Sequence, residues 1–96
     1  MGEWENRRKT RLLQGGLTET AGYPIKGIET QLRYEPIVET RNRKRLRPND
    51  IAEWELRLGR FRVFYNVEEN ANIVRIEAIG FKVGNLLFIR GERQEL

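Results

Sequence analysis

From residue 53 onward, apolar and polar positions alternate with a period of two. Trp54, Leu56 and Leu58 alternate with Glu53, Glu55 and Arg57, and Phe61, Val63, Tyr65 and Val67 alternate with Arg60, Arg62, Phe64 and Asn66. This predicts two half-buried strands, over 53–58 and 60–67. With Gly59-Arg60 as a two-residue hairpin loop, Leu58 faces Phe61, Leu56 faces Val63 and Trp54 faces Tyr65. On the other face Arg57 lies opposite Arg62, and Glu55 opposite Phe64. A slip of one residue would bury the charges, so the hydrophobic pattern sets the register. A third strand at about 72–79, after a loop at 68–71, would place Tyr65 opposite Val74, Val63 opposite Ile76 and Phe61 opposite Ala78. Arg62 would then meet Glu77, and Phe64 would meet Arg75. Gly80 is expected to end this strand, Gly84-Asn85 to form a turn and Leu86–Ile89 a short apolar strand, before a polar tail from Arg90.

Upstream the period changes. Ile25, Ile28 and Leu32 fall three and four apart after Pro24, which predicts a helix over 24–34. Tyr34-Glu35-Pro36 ends it, because the residue before a proline is pushed out of helical conformation. Residues 1–22 have no clear period, and a short helix over 4–14 is the most their pattern allows. The apolar sheet face needs a cover, which only the 24–34 helix offers. The expected fold is a single α+β domain over 1–96, a twisted antiparallel sheet of about four strands with the helix packed on one face.

Composition narrows the chemistry. The 96 residues contain no histidine, cysteine or serine and a single aspartate, Asp50. Ser-His and Cys-His nucleophilic pairs are therefore excluded, as are the usual zinc sets, and no metal or cofactor is expected. Catalysis would have to use Glu, Asp50, Lys, Arg, Tyr or Thr. No apolar stretch approaches the roughly 20 residues of a membrane helix, and the start reads as no secretory leader, so a cytoplasmic address without membrane contact is expected.

Net charge is +4, unevenly spread: residues 1–48 hold 11 Lys/Arg against 6 Asp/Glu, residues 49–96 hold 7 against 8. Five cations crowd into seven residues at Arg41, Arg43, Lys44, Arg45 and Arg47. Such a run binds polyanions by counterion release, and it also reads as a solvated loop or a docking strip for an acidic protein.

The sheet face away from the helix gathers Glu53, Glu55, Arg57, Arg62, Arg75 and Glu77, with Phe64 among them. Arg57 opposite Arg62 is repulsive unless neutralised. Either Glu55 and Glu77 satisfy them as cross-strand ion pairs worth little each, or the pair cradles phosphate. If the anion is RNA, its own 2′-hydroxyl can attack the adjacent phosphate. The protein then supplies a base, for which Glu55 is the candidate, and a clamp of Arg57, Arg62 and Lys82. The basic strip and Arg75 would hold backbone, and Phe64 or Phe81 would stack on an unpaired base. No leaving-group acid is evident, since Tyr65 points to the core.

The stretch Trp54–Tyr65, followed by Ile79-Gly80-Phe81-Lys82 and Gly84-Asn85-Leu86-Leu87-Phe88-Ile89-Arg90-Gly91, resembles the RelE/ParE superfamily of toxins from toxin-antitoxin pairs. Upstream, Gln31–Pro36 and Glu39–Lys44 look like a RelE-like subgroup, so the resemblance covers about residues 25–96. It implies a toxin held by a cognate antitoxin. Most such toxins cut messenger RNA on the ribosome without metal; the ParE branch inhibits DNA gyrase instead. By position, Arg62 matches an arginine that RelE-like nucleases keep, and Lys82 matches a basic residue after the strand-ending glycine. Arg57 lies beside the family's basic positions, and Glu55 stands where some members have lysine. Phe88 departs from the tyrosine of many active members, and a phenyl ring donates no proton. Residues 1–22 show no clear sign of the strand and long helix with which family members open: either the start is altered, which would leave a sheet edge open to dimerisation or a partner, or the elements form despite weak signals. Two function classes follow: a ribosome-dependent messenger RNA endonuclease, or a non-catalytic binder, either a gyrase inhibitor or a degenerate toxin that only binds its antitoxin.

Overall fold

The computed structural model describes residues 10–13 and 22–95 of the chain. Among them the elements run β1 (Arg11–Leu13), α1 (Ile25–Leu32), β2 (Arg43–Arg45), β3 (Trp54–Leu58), β4 (Phe61–Glu68), β5 (Ile73–Val83), β6 (Leu86–Ile89) and β7 (Glu92–Gln94). Strands β2 to β7 pair in chain order, each antiparallel to the next, and β1 joins β5 in parallel. The expected α+β layering over about four strands is thereby corrected. Among the described residues this is a mostly-β domain, a six-strand antiparallel sheet with one α-helix of eight residues and a short 3-10 turn at Glu69–Ala71. The extra strands carry no apolar alternation. β2 reads Arg-Lys-Arg and β7 Glu-Arg-Gln, and backbone hydrogen bonds hold them, which a hydrophobic pattern does not record. At Arg11–Leu13 the expected helix over 4–14 is replaced by strand; its other positions, Thr10 apart, lie outside the described residues.

The β3–β4 hairpin has the predicted register throughout, from Trp54 opposite Tyr65 to Leu58 opposite Phe61. Gly59, with φ of +57°, supplies the turn. The β4–β5 pairing differs. The loop lies one residue later than predicted, so that Tyr65 meets Ile76 and Val67 meets Val74. A bulge at Phe64/Tyr65 then leaves Glu77 as the extra residue of β5, so Phe64 meets Ala78, Val63 meets Ile79, Arg62 meets Gly80 and Phe61 meets Phe81. One inserted residue reverses which face each later side chain occupies.

Gly80 does not end β5, which continues to Val83. A Cβ at position 80 would collide with the Phe88 carbonyl oxygen and lie 2.8 Å from Ile89 Cγ1. The glycine lets β6 pack close rather than stopping the strand.

Both faces of the sheet are covered. On one, Ile28 and Leu32 of α1 pack with Trp54, Leu56, Val63, Tyr65, Val74, Ile76 and Ile79. On the other, Leu46, Ile51 and Ala52 fold over Phe64, Ala78, Leu87 and Ile89. The carboxy-terminal end of α1 is satisfied from outside the helix: Thr10 Oγ1 donates to the Leu32 and Arg33 carbonyls, and the Arg43 guanidinium donates to those of Gln31, Tyr34 and Val38.

Tyr65 is fully buried, as its alternation requires, and its hydroxyl donates to the Pro36 carbonyl at 2.6 Å. Burial pushes the pKa of this phenol up from 10, with Arg43 pulling weakly the other way. The folded state therefore keeps its proton at a pH where the unfolded chain loses it, and stability that is complete below about pH 10 falls as pH rises further. Tyr65→Phe should cost about 1–2 kcal/mol at neutral pH by orphaning the Pro36 carbonyl, and should flatten the alkaline decline. Urea denaturation at neutral and alkaline pH checks both, and an equal alkaline slope in the two proteins would place the decline elsewhere.

Candidate nucleic-acid interface

Register brings the candidate groups together on the face away from α1. Lys44 of β2 lies opposite Glu55 of β3, and Arg57 follows two residues later on the same face. Arg62 lies opposite Arg57, and Lys82 of β5 opposite Leu87 of β6. Lys44, Glu55, Arg57, Lys82, Arg93 and Glu95 line one groove of about 410 Å³. Register places Lys44, Arg57 and Lys82 on the groove face, whereas Arg93 pairs with Phe88 and borders the groove from the β7 edge, followed by Glu95. Three of the four residues expected to carry chemistry, Glu55, Arg57 and Lys82, share this groove.

Arg62 does not line it. The side chain folds back along its own hairpin and donates to the Gly59 and Phe61 carbonyls at 2.7 and 2.8 Å. Partial burial holds its pKa below the ordinary guanidinium value; Glu55 opposes this and Arg57 adds to it. The group stays charged regardless. Arg57 in turn lies 3.6 Å from Glu55 through Nε. The repulsion between the paired arginines is therefore relieved within the protein, by two carbonyls and one carboxylate, and needs no external anion. Glu77, expected opposite Arg62, instead accepts a hydrogen bond from Asn66 Nδ2 at 3.2 Å.

The other expected contacts are dispersed. Phe64 is 0% exposed and fills the second core, so it is not available to a base. Phe81 is 40% exposed, but alternation places it on the face opposite Lys82, where its ring stacks on Phe88 with centroids 6.1 Å apart. Arg75 is paired with Glu68 and stands seven residues from Lys82 on β5, roughly 23 Å along an extended strand.

The middle of the basic strip, Arg43–Arg45, is a strand with irregular chain on either side, and its cations divide. Lys44 enters the groove, Arg43 clamps the end of α1, and Arg45 sits over the Trp54 ring at 5.9 Å. Arg41 and Arg47 are exposed, Arg47 at a second cleft of about 480 Å³ that Arg45 also lines. Arg93 and Glu95 were hidden in the polar tail. Their signal is Arg90-Gly91, both at positive φ (55° and 77°), a two-residue hairpin turn that folds the tail back beside β6.

No family model, curated protein or solved structure matches the chain. Among the described residues no group of carboxylates is placed to hold a metal ion, and no helix is long and apolar enough to cross a membrane.

Proposed function

We propose that the groove of Lys44, Arg57, Lys82 and Arg93 binds the backbone of single-stranded RNA. In this reading the chain is a RelE-like toxin that cleaves messenger RNA on the ribosome, in the cytoplasm, until a cognate antitoxin neutralises it. The observation that carries the reading is the meeting of Lys44, Arg57 and Lys82, from three separate strands, around Glu55. Resemblance of the β3–β4 hairpin and the Gly84–Gly91 segment to that superfamily supports it.

The chemistry open to this groove needs no metal. Glu55 would take the proton of the substrate 2′-hydroxyl, whose oxygen attacks the adjacent phosphorus. Arg57, Lys82 and Lys44 would stabilise charge growing on the phosphoryl oxygens; the bond from phosphorus to the 5′-oxygen breaks to give a cyclic phosphate, and that oxygen takes a proton from solvent water. Arg62 acts at one remove, by bracing the hairpin that holds Arg57.

Arg57→Ala and Lys82→Ala are each expected to lower cleavage about 100-fold with the melting temperature little changed. Mapping of cut sites in a translating extract, with purified wild type and variants, measures this. Cutting by both variants at the wild-type rate would remove the groove from the mechanism.

One observation favours a non-catalytic binder. None of the described residues lining the groove carries a hydroxyl: Phe88 stacks on Phe81 on the opposite face of the sheet, and the Tyr65 hydroxyl is committed to Pro36 inside the core. Under that reading RNA binds in a salt-dependent way without product, or a gyrase supercoiling assay shows inhibition in its place.

A further inference from the structure

The groove holds a carboxylate that RNA binding does not use. Glu95 follows directly on β7 and lines the same groove as Lys44, Arg57, Lys82 and Arg93. Glu55, the other carboxylate, is engaged by Arg57 at 3.6 Å. Among the described residues, no salt bridge holds Glu95. A negative charge on the wall of a cationic groove lowers the potential that attracts an anion and repels the anion on arrival. It follows directly on an edge strand, since β7 has three residues and pairs only with β6.

We propose that Glu95 is an intramolecular counter-charge that sets how tightly the groove holds a phosphate backbone. This role rests on the RNA reading of the same groove. The Glu95 carboxylate acts through the potential of the groove rather than by pairing with its cations, so neutralising Glu95 strengthens binding without adding a contact.

The test measures fluorescence anisotropy of a labelled oligouridylate with the full chain as wild type, Glu95→Gln, Glu92→Gln and Arg57→Gln. Glu92→Gln makes the same change in net charge, but Glu92 lines a different cleft, with Asp50 and Glu77. Glu95→Gln is expected to tighten binding about fivefold at low salt and Glu92→Gln less than about twofold, the difference fading at high salt. Equal affinities for the two Gln variants, or no gain for Glu95→Gln, would overturn the proposal. Arg57→Gln separates the two levels. If it weakens binding while Glu95→Gln changes nothing, only the role of Glu95 falls. If wild type binds no RNA, or Arg57→Gln binds as well as wild type, the RNA reading falls and takes this inference with it.

Discussion

Phe64→Ala is expected to destabilise the domain by about 4 kcal/mol, close to the whole stability of many domains of this size. Phe64 is the largest fully buried side chain of the second core, where the other members are two alanines, Leu87 and Ile89, with Leu46 and Ile51 at its edge. Alanines cannot collapse into the space a benzyl group leaves, so the cavity persists and its cost adds to the lost transfer free energy. Residues 46–52 would lose their anchor to the sheet. Thermal unfolding followed by circular dichroism measures the effect. Phe64→Leu distinguishes packing from ligand contact: it should cost about 1–1.5 kcal/mol and leave RNA affinity unchanged. A Phe64→Leu protein with wild-type melting and weakened RNA binding would restore the ring to the interface.

The second large effect is expected at Gly80. Its absent side chain faces backbone, the Phe88 carbonyl, and the Ile89 side chain at 2.8 Å. A rotamer change cannot relieve the backbone half of that clash, so Gly80→Ala must push β6 off β5 or shift the register of both. About 3 kcal/mol is expected, near the upper end for overpacking, with the melting temperature falling by roughly 10–20 °C. Because Lys82 lies two residues further along β5 and pairs with Leu87, the same displacement should widen the groove and weaken RNA binding. A Gly80→Ala protein with native melting and native RNA affinity would show that β6 yields without cost.

Much of the candidate site was legible before the structure. Glu55, Arg57 and Arg62 are placed on one face by alternation alone, and the hairpin register follows from avoiding buried charge. Lys82, singled out by the resemblance, lies in the groove, on a strand that the hydrophobic pattern ends too early at Gly80. The misreading of Phe64 has a definite cause. Alternation assigns a residue to a face but does not say whether that face is covered, and here the cover is the irregular segment 46–52, which has no period. Phe81 and Ala78 were misplaced because a bulge inserts one residue that no composition signal marks. Arg62 was expected to project toward phosphate. Its length lets it reach its own hairpin carbonyls instead, a choice that local hydrogen-bond geometry makes. Within the basic run, residues 43–45 form a strand rather than loop because a strand held by backbone pairing needs no apolar residues, while the flanking positions stay irregular.

The sequence by itself determined the β3–β4 hairpin, its pairing, the helix near residues 25–32 and the shared face of Glu55, Arg57 and Arg62, because each follows from periodicity and the cost of burying charge. Only the tertiary structure decided that the sheet has two covered faces, that Arg43 serves the helix end while Lys44 serves the groove, and that Arg93 and Glu95 return to complete its wall. Those outcomes depend on backbone hydrogen bonds between distant segments and on a single inserted residue, neither of which leaves a pattern in the order of side chains.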